Sequence, residues 1–196
     1  TEYLAHLDGR NKYGMMLVNK YLRVVPVTIH IPVKDITKHL NPELIEKTIK
    51  TTHQELTSRF SIPNPCLWIS GLNPHAGEAG TIGDEEQKFI LPVVKKLRSQ
   101  GYNLTGPVSA DTMFYGKKRR KFDAAICMYH DQALIPIKTL DFHSSVNLTI
   151  GLSFIRTSPD HGTAFDIAGK NLANPTSTIE AIKLAWHLSK KEKKNQ

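Results

Sequence analysis

The sequence predicts an α/β fold. Short apolar runs of strand length recur along it, amphipathic helical stretches separate them, and joints rich in Gly, Pro and Asn punctuate the whole. A length of 196 residues suffices for one substantial core, or for one domain and part of another. A composition of 40% hydrophobic and 22% charged residues belongs to a globular chain rather than a disordered one. No apolar run nears the roughly 20 residues that span a bilayer, and no secretory pattern opens the chain, so a cytoplasmic protein without membrane contact is expected.

Residues 1–7 begin in helical character without a cap. Residues 14–18 and 22–30 are rich in β-formers and can pair as a hairpin across Asn19-Lys20. Pro32 breaks that run. Asn41-Pro42-Glu43 is a helix start, with a capping residue, Pro at the first helical position and an acid in the first turn. Leu44, Ile45, Ile49 and Leu56 keep helical spacing to about Phe60. After a Pro-rich turn, residues 66–71 form a short apolar strand that runs into a loop rich in Gly, with His75 and Glu78. That loop matches no Gly fingerprint for phosphate. Residues 85–100 predict an amphipathic helix with Phe89, Ile90, Val93, Val94 and Leu97 inward and Gly101 as its stop. Residues 103–105 and Gly106-Pro107 lead on to residues 108–114. Residues 122–129 predict the central buried strand and residues 146–150 another, while residues 155–164 are expected to be irregular and polar. The final helix, 177–190, carries Ile179, Ile182, Ala185 and Trp186 on one stripe.

The net charge of +8 rests largely on two runs, Lys117-Lys118-Arg119-Arg120-Lys121 and the basic tail. The first has no interleaved aromatics and falls between strand candidates, so a solvated loop is expected rather than a nucleic-acid surface. Positive potential of this kind also steers small anions. Cys66 and Cys127 lie in apolar runs without metal-ligand spacing, and read as small buried hydrophobes of a reducing compartment.

Met128-Tyr129-His130-Asp131-Gln132 follows the central strand, so His130 and Asp131 fall at the carboxyl end where open α/β sheets bind ligands. His30 and His75 occupy similar strand-end or loop positions. Three histidines so dispersed cannot be a structural zinc site, whose ligands cluster locally, but a catalytic site gathers ligands from distant elements. On spacing alone, three separate structural histidines fit as well. Lys138, Asn147 and Arg156 are expected near the same edge, and a Lys, an amide and an Arg together suit a phosphate or a carboxylate.

Five motifs in order carry a family resemblance. They are Gly71-Leu72-Asn73-Pro74-His75-Ala76-Gly77-Glu78, Ala110-Asp111-Thr112-Met113-Phe114, Met128-Tyr129-His130-Asp131-Gln132, Val146-Asn147-Leu148-Thr149-Ile150-Gly151-Leu152 and Ile155-Arg156-Thr157-Ser158-Pro159-Asp160-His161-Gly162-Thr163-Ala164. The sequence so marked resembles the 4-hydroxythreonine-4-phosphate dehydrogenase family nearly end to end. The last motif, continued through Phe165-Asp166-Ile167-Ala168-Gly169 and residues 171–175, is also similar to the cofactor loop of isopropylmalate and isocitrate dehydrogenases. The resemblance implies an α/β/α sandwich of the isocitrate/isopropylmalate dehydrogenase-like type, with most of a first domain missing. It further implies NAD or NADP as cofactor and one divalent ion (Zn, Mg or Co) held by His30, His75 and His130. Thr1, Lys138, Asn147 and Arg156 would bind a phosphorylated substrate. His161, Gly162, Thr163, Ala164, Ile167 and Asn174 would line the cofactor site. Lys138, Asp111 and Asp131 are the candidates for catalytic roles, Asp131 favoured as a carboxylate orienting a histidine ligand.

The resemblance also implies a homodimer whose active site lies between subunits. Residues 1–147 would be the dimer-forming, metal-binding domain, and residues 148–196 would return to the cofactor-binding domain. The family's further N-terminal half would precede Thr1, so the sequence is expected to be a truncated or proteolysed piece that runs the reaction poorly. Leu152, Phe154, Ile155, Ile179, Ile182 and Trp186 would then be partly uncovered. Two rival readings are an enzyme of the same family that acts on a 4-phosphothreonate or 4-phosphoerythronate, and a non-catalytic dimerisation module.

Overall fold

The computed structural model describes residues 2–192. Its strands are β1 (Gly14–Val18), β2 (Arg23–Pro26), β3 (Leu67–Ser70), β4 (Leu104–Val108), β5 (Ala124–Cys127), β6 (Val146–Ile150) and β7 (Arg156–Pro159). Its α-helices are α1 (Glu2–Leu7), α2 (Ile36–His39), α3 (Pro42–Ser58), α4 (Leu91–Ser99), α5 (Ala110–Met113), α6 (His130–Leu140) and α7 (Thr176–Glu192). The strands form one sheet in the order β4-β3-β5-β2-β1-β6-β7. Parallel pairing joins β4, β3, β5 and β2, whereas β1 is antiparallel to both its neighbours and β7 to β6.

The alternation of side chains on the central strands explains why helices cover both faces. Met16, Val25, Leu67, Ile69, Ala124 and Ile126 feed one core, closed by Ile45, Ile49 and Leu56 of α3 and by Val93, Val94 and Leu97 of α4. Met15, Leu17, Val24, Ala125 and Cys127 feed the other, closed by Ala133, Leu134 and Ile137 of α6. Strands buried on both faces must be apolar at every position, which is why they appear as unbroken runs rather than alternations. Both cysteines are free thiols, and burial pushes the Cys127 thiol far up.

Helix α3 starts where the Asn-Pro-Glu signal places it, with the Asn41 side chain accepting from the Leu44 N–H at 2.8 Å. Asn41→Ala should therefore cost about 1 kcal/mol, read as a lower urea midpoint with an unchanged slope. The predicted 85–100 helix is not uniform: residues Glu86–Ile90 form a π-helical turn ahead of α4. Pro92 has no N–H to give and its ring crowds the preceding carbonyls, and the chain enters it through a wider turn in which the Leu91 N–H reaches the Glu86 carbonyl.

Two expectations at the C-terminal side are corrected. Residues 156–159 are not irregular but form edge strand β7, where polar residues and a Pro are tolerated. Leu152 is buried, not uncovered. Helix α7 packs through Ala181 and Leu188, and Ile179, Ile182 and Trp186 face outward together with Phe154, uncovered as expected. The expected seam at residues 147/148 falls inside β6, whose ladder with β1 is continuous from Gly14 to Val18.

Candidate active site

Because β2, β3, β4 and β5 run in parallel, the loops that follow them leave at one edge of the sheet. Those loops carry His30, His75, Asp111 and His130. The rings of His30 and His130 face each other with centroids 5.9 Å apart. His130 is the first residue of α6, and its Nδ1 lies 2.7 Å from Asp131 Oδ1. A carboxylate there keeps the proton on Nδ1 and leaves the Nε2 lone pair for a ligand, the usual arrangement of metal-binding imidazoles. The chemistry of this donor pair therefore fits a divalent ion.

His75 stands on the next loop. With Asp111, Tyr129 and Gln132 it lines a depression of about 340 Å³ between the ends of β3, β4 and β5. A hydrogen bond from Ser109, and secondarily the neighbouring His75, hold the Asp111 carboxyl below the usual carboxylate range. The backbone of the His75 loop is unusual: His75, Ala76, Gly77, Glu78 and Ala79 all have positive φ, between 42° and 76°. A left-handed turn costs roughly 1–2 kcal/mol per non-glycine residue, and it persists only where the surroundings over-determine it.

Two side chains tie down the start of that loop, and the sequence reading singled out neither. Gln132 of α6 accepts from Ser70 Oγ at 2.7 Å and from the Met128 N–H at 2.8 Å, and donates to the Gly71 carbonyl at 2.8 Å. It thereby couples the end of β3 to the helix headed by His130. Glu86, 3% exposed, accepts from the Leu72 and Asn73 N–H groups, both at 2.7 Å, and from the Asn73 amide at 3.0 Å. A signal was present for Glu86: it shares the spacing of Ile90, Val93 and Leu97, so an acid stands on the apolar stripe.

The expected phosphate-type cluster is differently placed. Register sets Asn147 opposite Leu17 and Ser158, and Thr149 opposite Met15 and Arg156. These residues share the face of the second core, but α6 lies chiefly over β5, β2 and β1, leaving a polar strip on β6 and β7. Lys138 is two turns along α6 from His130, about 12 Å by helix rise, with Asn19 bonded to the adjacent Ile137 carbonyl. It thus sits toward the amino edge of the parallel strands, not at the carboxyl edge. Lys138 Nζ approaches Asp160 Oδ2 at 3.2 Å, an ion-pair distance without hydrogen-bond alignment. Burial raises the Asp160 carboxyl, with Lys138 pulling the other way. Arg156 Nη1 donates to Thr149 Oγ1 at 3.2 Å, and Asn147 Oδ1 is buried without a hydrogen-bond partner.

Of the anticipated cofactor residues, His161, Ala164, Ile167 and Asn174 line one cavity of about 190 Å³, closed by Phe142 and Ser177. Its wall is mainly apolar, with Asp160, His161, Asn174 and Ser177 as polar groups. Gly162 and Thr163 are exposed and do not line it. Thr1 lies outside the described residues. Among the described residues, no group of three or more His, Cys, Asp or Glu side chains is placed to hold a metal ion. Within one chain the imidazoles are a pair, His30 and His130, with His75 on the adjoining loop.

Comparison with known proteins places this geometry in context. A family model described as pyridoxal phosphate biosynthetic protein PdxA matches residues 1–185. A 4-hydroxythreonine-4-phosphate dehydrogenase of Roseobacter denitrificans is 59% identical over 190 residues, covering 96% of this chain and 58% of that protein. The crystal structure of the Klebsiella pneumoniae 4-hydroxythreonine-4-phosphate dehydrogenase superposes with a TM-score of 0.87 at 42% identity, covering 96% of this chain and 57% of the other. That from Burkholderia phymatum gives 0.84 at 44%, covering 95% and 57%. The chain thus spans somewhat under two thirds of the length of these relatives.

Proposed function

The chain belongs to the PdxA family, and on that footing we propose that it is part of a metal- and nicotinamide-dependent dehydrogenase of pyridoxal phosphate biosynthesis. The proposed substrate is 4-phosphooxy-L-threonine, whose secondary alcohol is oxidised before the carboxylate leaves as CO2, giving 3-amino-2-oxopropyl phosphate. What supports this reading is one observation: a polar strip of Asn147, Thr149, Arg156 and Ser158 interrupts an otherwise apolar sheet face, beside the helix that starts at His130 and carries Lys138.

In this reading His30, His75 and His130 hold one divalent ion, with the set completed across a homodimer interface. When bound, the ion supplies Lewis-acid polarisation of the alcohol and the nicotinamide supplies the hydride acceptor. Arg156, Lys138 and the Asn147 amide bind and orient the phosphate, the substrate thereby being held for reaction. Thr1 is proposed to join them. Asp131 keeps the His130 proton on Nδ1, and Asp111, which lines the same depression as His75, is the carboxylate placed to move a proton. His161, Ala164, Ile167 and Asn174 receive the cofactor, with Gly162 and Thr163 in the same loop. Residues 1–147 form the dimer-forming part and residues 148–196 the return to the cofactor part, joined through β6. A cytoplasmic location completes the proposal.

The test measures binding of 4-phosphooxy-L-threonine, 4-phosphothreonate and 4-phosphoerythronate to the metal-loaded protein, together with NAD and NADP reduction. The expected order places 4-phosphooxy-L-threonine first, and Lys138→Met should weaken all three about tenfold or more through loss of a charge-assisted bond. Preference for either phosphorylated hydroxy acid would move the assignment to a sister enzyme. Binding of none of them by a metal-loaded dimer would replace it with a non-catalytic dimerisation module.

A further inference from the structure

The buried Glu86 carboxylate makes its bonds not to another side chain's charge but to the backbone that leads into His75. We propose that Glu86 is a positioning residue, whose work is to hold His75 where it can bind a metal ion; this rests on the reading of His75 as a ligand. Oε1 alone accepts both the Leu72 and the Asn73 N–H groups, and Oε2 takes the Asn73 amide. That amide also reaches Glu85 Oε2 at 2.7 Å, which fixes Asn73 from two sides.

The fit is close enough to exclude side chains at two positions. A Cβ on Gly77 would stand 2.5 Å from Glu86 Oε2, and one on Gly71 would stand 3.0 Å from Oε1 and 2.7 Å from the Ala76 backbone. Glycines on either side of His75 thus press the loop onto the carboxylate. The five left-handed residues from His75 to Ala79 need an external constraint; Glu86 fixes the backbone at which they begin and packs against Gly77, and Gln87 Nε2 donates to the Ala79 carbonyl at 2.7 Å where they end. The π-helical turn that begins at Glu86 adds to the case, since such turns recur at functional sites. A carboxylate on the apolar stripe of a helix would otherwise be a burden. Here its position is explained by the loop it holds.

The experiment titrates Co2+ into the protein and follows the visible spectrum, with thermal unfolding measured in parallel. Glu86→Ala should weaken Co2+ binding about tenfold or more, the loss typical when a partner of a metal ligand is removed. Glu86→Gln should stay within about threefold, because its amide oxygen can keep both backbone N–H bonds while Glu85 still holds the Asn73 amide. A role confined to stability would lower the unfolding temperature of Glu86→Ala while leaving Co2+ affinity, read well below that temperature, unchanged; that result overturns the proposal. Should Glu86→Ala not fold, Glu86→Asp decides, since one methylene less withdraws the carboxylate from the loop: weaker Co2+ binding upholds the proposal and wild-type binding overturns it. His75→Ala separates this inference from its premise. If that variant binds Co2+ as the wild type does, the ligand assignment is what fails.

Discussion

Replacing His130 by Ala should cut Co2+ affinity at least a hundredfold, more than the ten- to hundredfold typical of outer partners, while unfolding stability changes by only about 0.5 kcal/mol. The asymmetry follows from where the ring sits. It heads α6, is half exposed, and contacts the His30 ring and Asp131 rather than either core. Nothing is hollowed out when it goes. What is lost is an imidazole whose Nδ1 is already committed to a carboxylate 2.7 Å away, so that its other nitrogen is free to donate. Asp131→Asn is a graded companion: the ring keeps a hydrogen-bond acceptor but loses the charge that makes it a better donor to metal, and the expected loss is nearer tenfold. Isothermal titration with Co2+ alongside urea unfolding reads both quantities. Wild-type Co2+ uptake in His130→Ala and in His30→Ala would end the reading of this pair as ligands.

Much of this arrangement is legible in the residues. The Ala124–Cys127 strand is apolar at all four positions because both its faces are buried, and the loop beyond it must open at the sheet edge. The polar strip across β2 and β1 from it is visible as well, since Leu148 and Ile150 alternate with Asn147 and Thr149 on β6. What was not legible depends on partners distant in sequence. Strand β7 has no apolar residue, and exists because β6 offers it a ladder. Lys138 follows His130 by two helical turns, so it points to the far edge of the sheet, a consequence of α6 running back against the strands. Glu86 was masked by the rule that charges sit outside, a rule it breaks because three donors meet it inside.

Removing the guanidinium of Arg59 should be strongly destabilising, about 3–5 kcal/mol for Arg59→Met. Arg59 and Glu55 are both almost fully buried, with Nη1 and Oε1 3.0 Å apart. Arg59 Nη2 also donates to the Leu152 carbonyl at 2.9 Å, and Glu55 Oε2 accepts from the Gly151 N–H at 3.2 Å. The pair therefore fastens the end of α3 to the turn that follows β6. That turn is closely packed: Gly151 has φ of +85°, and a Cβ there would meet the Lys12 carbonyl at 2.1 Å. Methionine keeps much of the volume but leaves the Glu55 carboxylate buried without the cation it faces, which is the costly half of the exchange. Replacing both, as Glu55→Leu with Arg59→Met, should recover part of the loss, because no charge is left buried, although the Leu152 carbonyl and the Gly151 N–H lose these bonds. Urea unfolding of the two single variants and the double closes the cycle. A cost below about 1 kcal/mol for Arg59→Met would mean that the pair behaves as a solvated one. A large cost also bears on the site, because the same turn sets the start of β7, and with it the side chain of Arg156.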